Sequence, residues 1–169
     1  MAGSRQSVQL TDTEIEDFLD SQMKVQVATV GADGAPHLTT LFYVLVDGKI
    51  VFWTYGSSQK VRNLRRDPRV TCLVEDGQDY FELRGVSITG KARLVEDYDE
   101  IKAIGLRVMA RMAGGADPST SSGHRLGELG EDLVSKQAHK RVGIVIEPDK
   151  VASWDHRKLG ALPGQGSAG

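Results

Sequence analysis

Three residues of this chain stand close enough together to do chemistry as a group. Ser57, Ser58 and Lys60 follow the apolar run KIVFW and precede Asp67-Pro68. If the serines open a helix, its first turn presents unbonded backbone N–H groups, two hydroxyls and an ammonium to one point. That combination binds an anion such as a phosphate. The phosphate would sit at a strand end, leaving the strand's face for the planar part of a ligand.

The same stretch, Thr54 to Val70, holds five cations: Lys60, Arg62, Arg65, Arg66 and Arg69. They also fit the solvated outer face of a short helix capped by Ser57. A third reading has Arg62, Arg65 and Arg66 tracking nucleic-acid phosphates, but the patch is short and no aromatics interleave with it. Elsewhere the chemistry is sparse. His37, His124, His139 and His156 show no metal-ligand spacing and none pairs with Cys72, so no metal site is expected. No Ser-His-Asp order is present, and GSS lacks the flanks of a nucleophile elbow. Tyr43 and Tyr80 could donate protons, yet aromatics on strands more often fill cores. No catalytic residue is assigned.

The elements that must position these residues can be read along the chain. TDTEIEDFLDSQM has Thr11 as cap and Glu14 three residues on, with Ile15, Phe18 and Leu19 as a buried stripe. VQVATV alternates strictly, GADGAP turns, and HLTTLFYVLV returns as a hairpin; Asp47-Gly48 turns again into KIVFWT. These predict a three-stranded antiparallel meander. A helix of at most about three turns follows, with Val61 and Leu64 buried and Asp67-Pro68 as its stop. RVTCLVE is a strand, with Cys72 a buried small hydrophobe. YFELRGVSITGKARLVE is a long β stretch in which Gly85 and Gly90 mark bulges or corners, favouring a closed or nearly closed barrel. Ile101, Ile104 and Val108 follow helical spacing to about Met112, Ala113–Gly123 reads as a breaker-rich loop, and HRLGELGEDLVSKQAHKR as a helix weakened by Gly127 and Gly130. VGIVIE is a last strand that KVASWDH extends.

At 169 residues and a net charge of −2, the chain is sized for one domain with a real core, and its balance gives no global pull toward nucleic acid or an anionic membrane. We expect a flexible segment at 1–10, a single domain at 11–159 and a disordered tail at 160–169. One cysteine, no apolar leader and no run near the roughly 18 apolar residues of a membrane span point to a cytoplasmic protein.

Val25 to Glu96, with its strand, SxK, NL, DPR, strand order and the later RGVSITGKARLVED, resembles the pyridoxamine 5′-phosphate oxidase-like superfamily. It is most similar to the actinobacterial branch that uses the deazaflavin coenzyme F420, and SWDHRKLG also resembles that branch. The resemblance implies a mainly β (α+β) fold of the FMN-binding split β-barrel type, with six to seven antiparallel strands and short peripheral helices. It implies a homodimer with cofactor in a groove between the barrels, and a small-molecule substrate.

Carried over, the cofactor-phosphate residues fall on Ser58 and Lys60, beside Ser57, with Gln59 where the FMN oxidases usually have arginine. Trp53 and Thr54 take the strand-end position bordering the cofactor ring, and Thr39, Thr40 and Leu41 the neighbouring strand; alternation prevents both threonines from facing the groove. The FMN oxidases also place an arginine and a lysine on the second strand, whereas no Lys or Arg lies between Pro36 and Gly48 here. That departure favours F420, whose phosphodiester carries one charge and whose oligoglutamate tail could meet Arg62, Asn63 and Arg66. FMN is the alternative. The implied reaction is hydride transfer from reduced F420 to a conjugated double bond of a small planar molecule. Trp154 could close over the ring from the partner subunit or plug the barrel end. An FMN-dependent oxidase or reductase and a non-catalytic cofactor-binding protein are the rival readings.

Overall fold

The structure is a computed structural model and describes residues 7–114 and 121–161. Residues 1–6 and 162–169, and positions 115–120 of the expected loop, lie outside it. Chain order is α1 (Asp12–Ser21), β1 (Lys24–Val30), β2 (Pro36–Phe42), β3 (Val44–Val46), β4 (Lys49–Tyr55), α2 (Gln59–Arg66), β5 (Arg69–Asp76), β6 (Arg84–Val95), α3 (Tyr98–Met112), α4 (Ser121–Ala138) and β7 (Arg141–Asp155).

Seven strands form one antiparallel sheet in the order β2-β1-β5-β6-β7-β4-β3. Its two edges, β2 and β3, are consecutive in the chain with only Tyr43 between them. The sheet therefore curls until its edges approach, which makes the split barrel expected from the resemblance. Tyr43 is the pivot: it is fully buried, its N–H donates to Met23 O at 3.2 Å, and its hydroxyl donates to Leu19 O at 2.5 Å.

This geometry corrects the expected meander. HLTTLFYVLV is two strands, its first half pairing with β1 and its second with β4 on the opposite edge. Both hairpin turns fall where Gly and Asp placed them: Asp47 and Gly48 take φ of 51° and 73°, the type I′ geometry of a two-residue loop. The stretch expected to start at Tyr80 enters the sheet only at Arg84, because Tyr80–Glu82 is a 3₁₀ turn. Gly90 sits at the one register shift between β6 and β7, where a Cβ would meet Glu147 O at 2.0 Å. Gly85 marks a close approach rather than a bulge, since the Trp154 ring lies 2.4 Å from where its Cβ would be. Trp154 thus packs on its own chain's β6.

Two apolar cores flank β4. Inside the barrel, Ile50 and Phe52 meet Val25, Val27, Val61 and Leu64; outside it, Val51 and Trp53 meet Ile101, Ile104, Val108 and Val134 of α3 and α4. Burial on both faces explains why β4 reads as a continuous apolar run while β1 alternates. Each large side chain enclosed this way contributes about 1.5–3 kcal/mol. α1 closes one barrel end with Phe18 and Leu19, started by the capping box of Thr11 and Glu14. Leu10 N donates to Ser153 Oγ at 3.1 Å and Val8 O accepts from Asp155 N at 2.8 Å, so residues 8–10 lie against β7.

Candidate functional site

Alternation along β4 points Thr54 into the barrel end and Trp53 and Tyr55 away from it, and the chain then turns at Gly56 into α2. Gly56 N donates to Lys140 O at 2.9 Å, tying that turn to the start of β7. Ser58 is the N-cap of α2 in extended backbone, yet its side chain makes no capping hydrogen bond, and its Oγ is buried without a partner. Thr11 and Asp97, the N-caps of α1 and α3, both accept from the third helical N–H. The Ser58 hydroxyl neither caps the helix nor has an acceptor for its own O–H, which an anion would supply. Lys60 Nζ donates to Thr54 Oγ1 at 3.3 Å, and partial burial lowers its pKa from 10.5. A desolvated ammonium beside an unpaired hydroxyl and a free first turn is electrostatically incomplete, and an anion would complete it.

The rest of α2 divides by partner. Asn63 is fully buried; its Nδ2 donates to Thr29 Oγ1 at 3.0 Å, and its Oδ1 accepts from Gln59 Nε2 at 2.9 Å. Arg62 Nη2 donates to Gln59 Oε1 at 2.7 Å, a neutral partner that leaves its charge uncompensated. Arg66 Nη2 donates to Val30 O at 2.5 Å. Arg65 pairs with Glu96 and Arg69 with Asp67, each at 2.7 Å on the surface, contacts worth little individually. The Arg69 guanidinium holds the Asp67 carboxyl down to about 2.

Thr54 and Lys60 thus meet by side chain with Ser58 on the same first turn, Ser57 is exposed beside it, Gln59 turns to Asn63 and Arg62, and other expected residues lie elsewhere. Trp53 packs beneath α3, its ring 2.7 Å from where a Cβ on Gly105 would be, so its side chain turns away from Thr54. Asn63 is enclosed and saturated, so it is a clamp between α2 and β1 instead of a group facing a ligand's tail. On β2, Thr40 is exposed, Leu41 packs against the barrel core, and Thr39 is half-buried with an unpartnered Oγ1. Thr29 and Arg141 were missed. Thr29 was legible as the inward position of an alternating strand; Arg141 reaches the site only through the pairing of β4 with β7, which no local pattern records.

The remaining reactive groups are engaged elsewhere. Burial pushes the Cys72 thiol up to about 12, so no thiolate nucleophile is available near neutral pH. His139 stacks on Tyr98 with ring centroids 4.5 Å apart, and His156 Nδ1 lies 2.8 Å from Tyr80 O. Among the described residues no three His, Cys, Asp or Glu side chains gather as metal ligands, and no helix is long and apolar enough to cross a membrane.

The family model for pyridoxamine 5′-phosphate oxidase matches residues 11–155. The chain belongs to this family. It is similar to the crystal structure of a conserved hypothetical protein from Mycobacterium tuberculosis, with 40% identity, 99% of this chain and 98% of that one covered, and a TM-score of 0.80. A structure named F420 reductase shares the fold at 22% identity and a TM-score of 0.60, covering 81% of this chain and 94% of that one. So does HutZ, a heme storage protein from Vibrio cholerae, at 22% identity and a TM-score of 0.60, covering 84% and 94%. No curated protein sequence matches.

Proposed function

We propose that the chain is an F420H2-dependent reductase that delivers a hydride to a conjugated double bond of a small planar substrate. The observation carrying this reading is the buried, non-capping Ser58 hydroxyl beside the half-buried Lys60 ammonium at the first turn of α2. Ser57, Ser58 and Lys60 would hold the cofactor's phosphate, with Gln59 beside them and Thr54 fixing Lys60. The reduced deazaflavin supplies the hydride when bound.

The charge balance favours a phosphodiester. A terminal phosphomonoester carries about −1.5 to −2 near neutral pH, against one ammonium at the cradle and no Lys or Arg from Pro36 to Gly48. Arg62, charged and paired only with a neutral amide, is left for carboxylates farther out. The similarity in fold to a structure named F420 reductase is consistent with this choice. Positioning and exclusion of water are the protein's contributions.

The active form we propose is a homodimer with cofactor between barrels. Two central rows of the outward face of β2, β1, β5 and β6 are uncharged, with Leu38, Ala28 and Thr71 in one and Thr40, Gln26, Leu73 and Ser87 in the other, flanked by Lys24 and Glu75 on one side and Arg69 and Lys91 on the other. Leu38 is 66% exposed on that face, where a partner's sheet would cover it.

Titration of the purified protein with F420 and with FMN, followed by cofactor fluorescence, tests the reading. F420 should bind, and Lys60→Ala should weaken it about tenfold or more, the loss expected for a charge-assisted contact. Tight FMN binding without F420 binding would overturn the cofactor choice. Bound reduced cofactor that turns over no enone or quinone would leave a storage protein.

A further inference from the structure

Arg141 is the one arginine among the described residues set against two aromatic rings. Arg65, Arg69, Arg84, Arg93, Arg111 and Arg157 each pair with a carboxylate. The Arg141 side chain makes no hydrogen bond or ion pair among the described residues, and its Nε is buried without a partner. It is held instead by aromatic rings: its guanidinium carbon lies 4.3 Å from the centroid of Trp53 and 4.3 Å from that of Tyr55. It faces Tyr55 in the β4–β7 register, next to Lys140, whose carbonyl accepts from Gly56. Ser57 and Ser58 are the next two residues after that bond.

We infer that Arg141 anchors a carboxylate on the molecule that lies across the end of β4. This rests on the reading of Ser57, Ser58 and Lys60 as the phosphate cradle. With the two rings against it, the guanidinium keeps its directed donors in its own plane, at its edge. A flat two-oxygen acceptor meets such an edge with two parallel hydrogen bonds. Lys60 is on the Thr54 side of β4 and Arg141 on the Trp53 and Tyr55 side, with the Gly56–Ser58 turn between them. A ligand crossing that turn presents one anion to each cation, and its second anion is a carboxylate. Its source is either the cofactor's own glutamate tail or the substrate.

Two measurements test this. In a Trp154→Phe background Trp53 is the sole indole, and tri-glutamate or benzoate should change its emission, with tri-glutamine as the neutral control. Arg141→Gln should abolish the response, and Arg141→Lys, which keeps charge but not the fork, should lower the affinity about tenfold. Thermal unfolding establishes that each variant is folded. No carboxylate response in the parent, or an equal response in folded Arg141→Gln, overturns the inference. The second measurement compares the affinity of F420 with that of the same deazaflavin ending at its phosphate. A preference of about tenfold for the tail that vanishes in Arg141→Gln assigns the carboxylate to the cofactor. An unchanged preference, with the indole response still Arg141-dependent, assigns it to the substrate. A protein that binds neither deazaflavin yet still shows that response removes the phosphate reading and leaves Arg141 as a carboxylate site.

Discussion

Removing Asn63 should destabilise the protein far more than its small side chain suggests, and in a way that depends on Thr29. Asn63 is 0% exposed and Thr29 is 1% exposed, so neither can turn to water when the other is lost. Asn63→Ala forfeits about 1 kcal/mol for the 3.0 Å hydrogen bond and strands the Thr29 hydroxyl for about 1–3 kcal/mol more. The void left behind adds about 1 kcal/mol, giving about 3–5 kcal/mol in all. Thr29→Val keeps the shape of Thr29 but strands the Asn63 amide, for about 2–4 kcal/mol. In the double variant nothing of the pair is left unsatisfied and the shared hydrogen bond is lost only once, so the loss should fall short of the sum by about 3 kcal/mol or more. Urea denaturation followed by circular dichroism gives all three values, and Tm should drop about 2–4 °C per kcal/mol. Losses that add to within about 0.5 kcal/mol would refute the argument that the pair acts as one buried unit.

Other outcomes follow from the same geometry. Burial lowers the Lys60 pKa, so affinity for a phosphate-bearing cofactor should fall as pH rises through that lowered value, below the 10.5 of an ordinary lysine. Stability without cofactor should respond oppositely: between the lowered folded value and 10.5 the unfolded chain binds more protons, so this lysine's contribution rises with pH. A Lys60→Ala variant that kept the same alkaline loss of affinity would remove Lys60 from the cradle. Leu38→Glu places a charge in the central uncharged rows of the outer sheet face and should convert the proposed dimer to a monomer in sedimentation without lowering Tm by more than a few degrees; an unaltered mass would move the interface elsewhere.

Much of the fold was legible because its signals are local. Strict alternation in VQVATV, the Asp-Gly turns and the Thr11 cap each name an element from a few adjacent residues. What escaped was the fate of HLTTLFYVLV. Its apolar run is continuous, and nothing within it marks Tyr43 as the point where the chain leaves one sheet edge for the other. The start of β6 was missed for a related reason: Tyr80 and Phe81 have strand-forming side chains, but they stay exposed in a 3₁₀ turn outside the ladder.

For the candidate site, the sequence by itself supplied the residues of the proposed cradle. Two hydroxyls and a lysine at a helix start, behind a strand and before Asp-Pro, are near neighbours in the string, so the proposed anion-binding turn needs no distant residue. The missing cations between Pro36 and Gly48 were equally a property of the string. Only the tertiary structure decided which neighbours complete that turn and which are withdrawn from it. Asn63 shares α2 with Lys60 but points into the barrel, where Thr29 consumes it. Trp53 adjoins Thr54 but turns under α3, because successive side chains of a strand buried on both faces enter different cores. Arg141, 81 residues beyond Lys60 in the sequence, comes beside the turn through the pairing of β4 with β7.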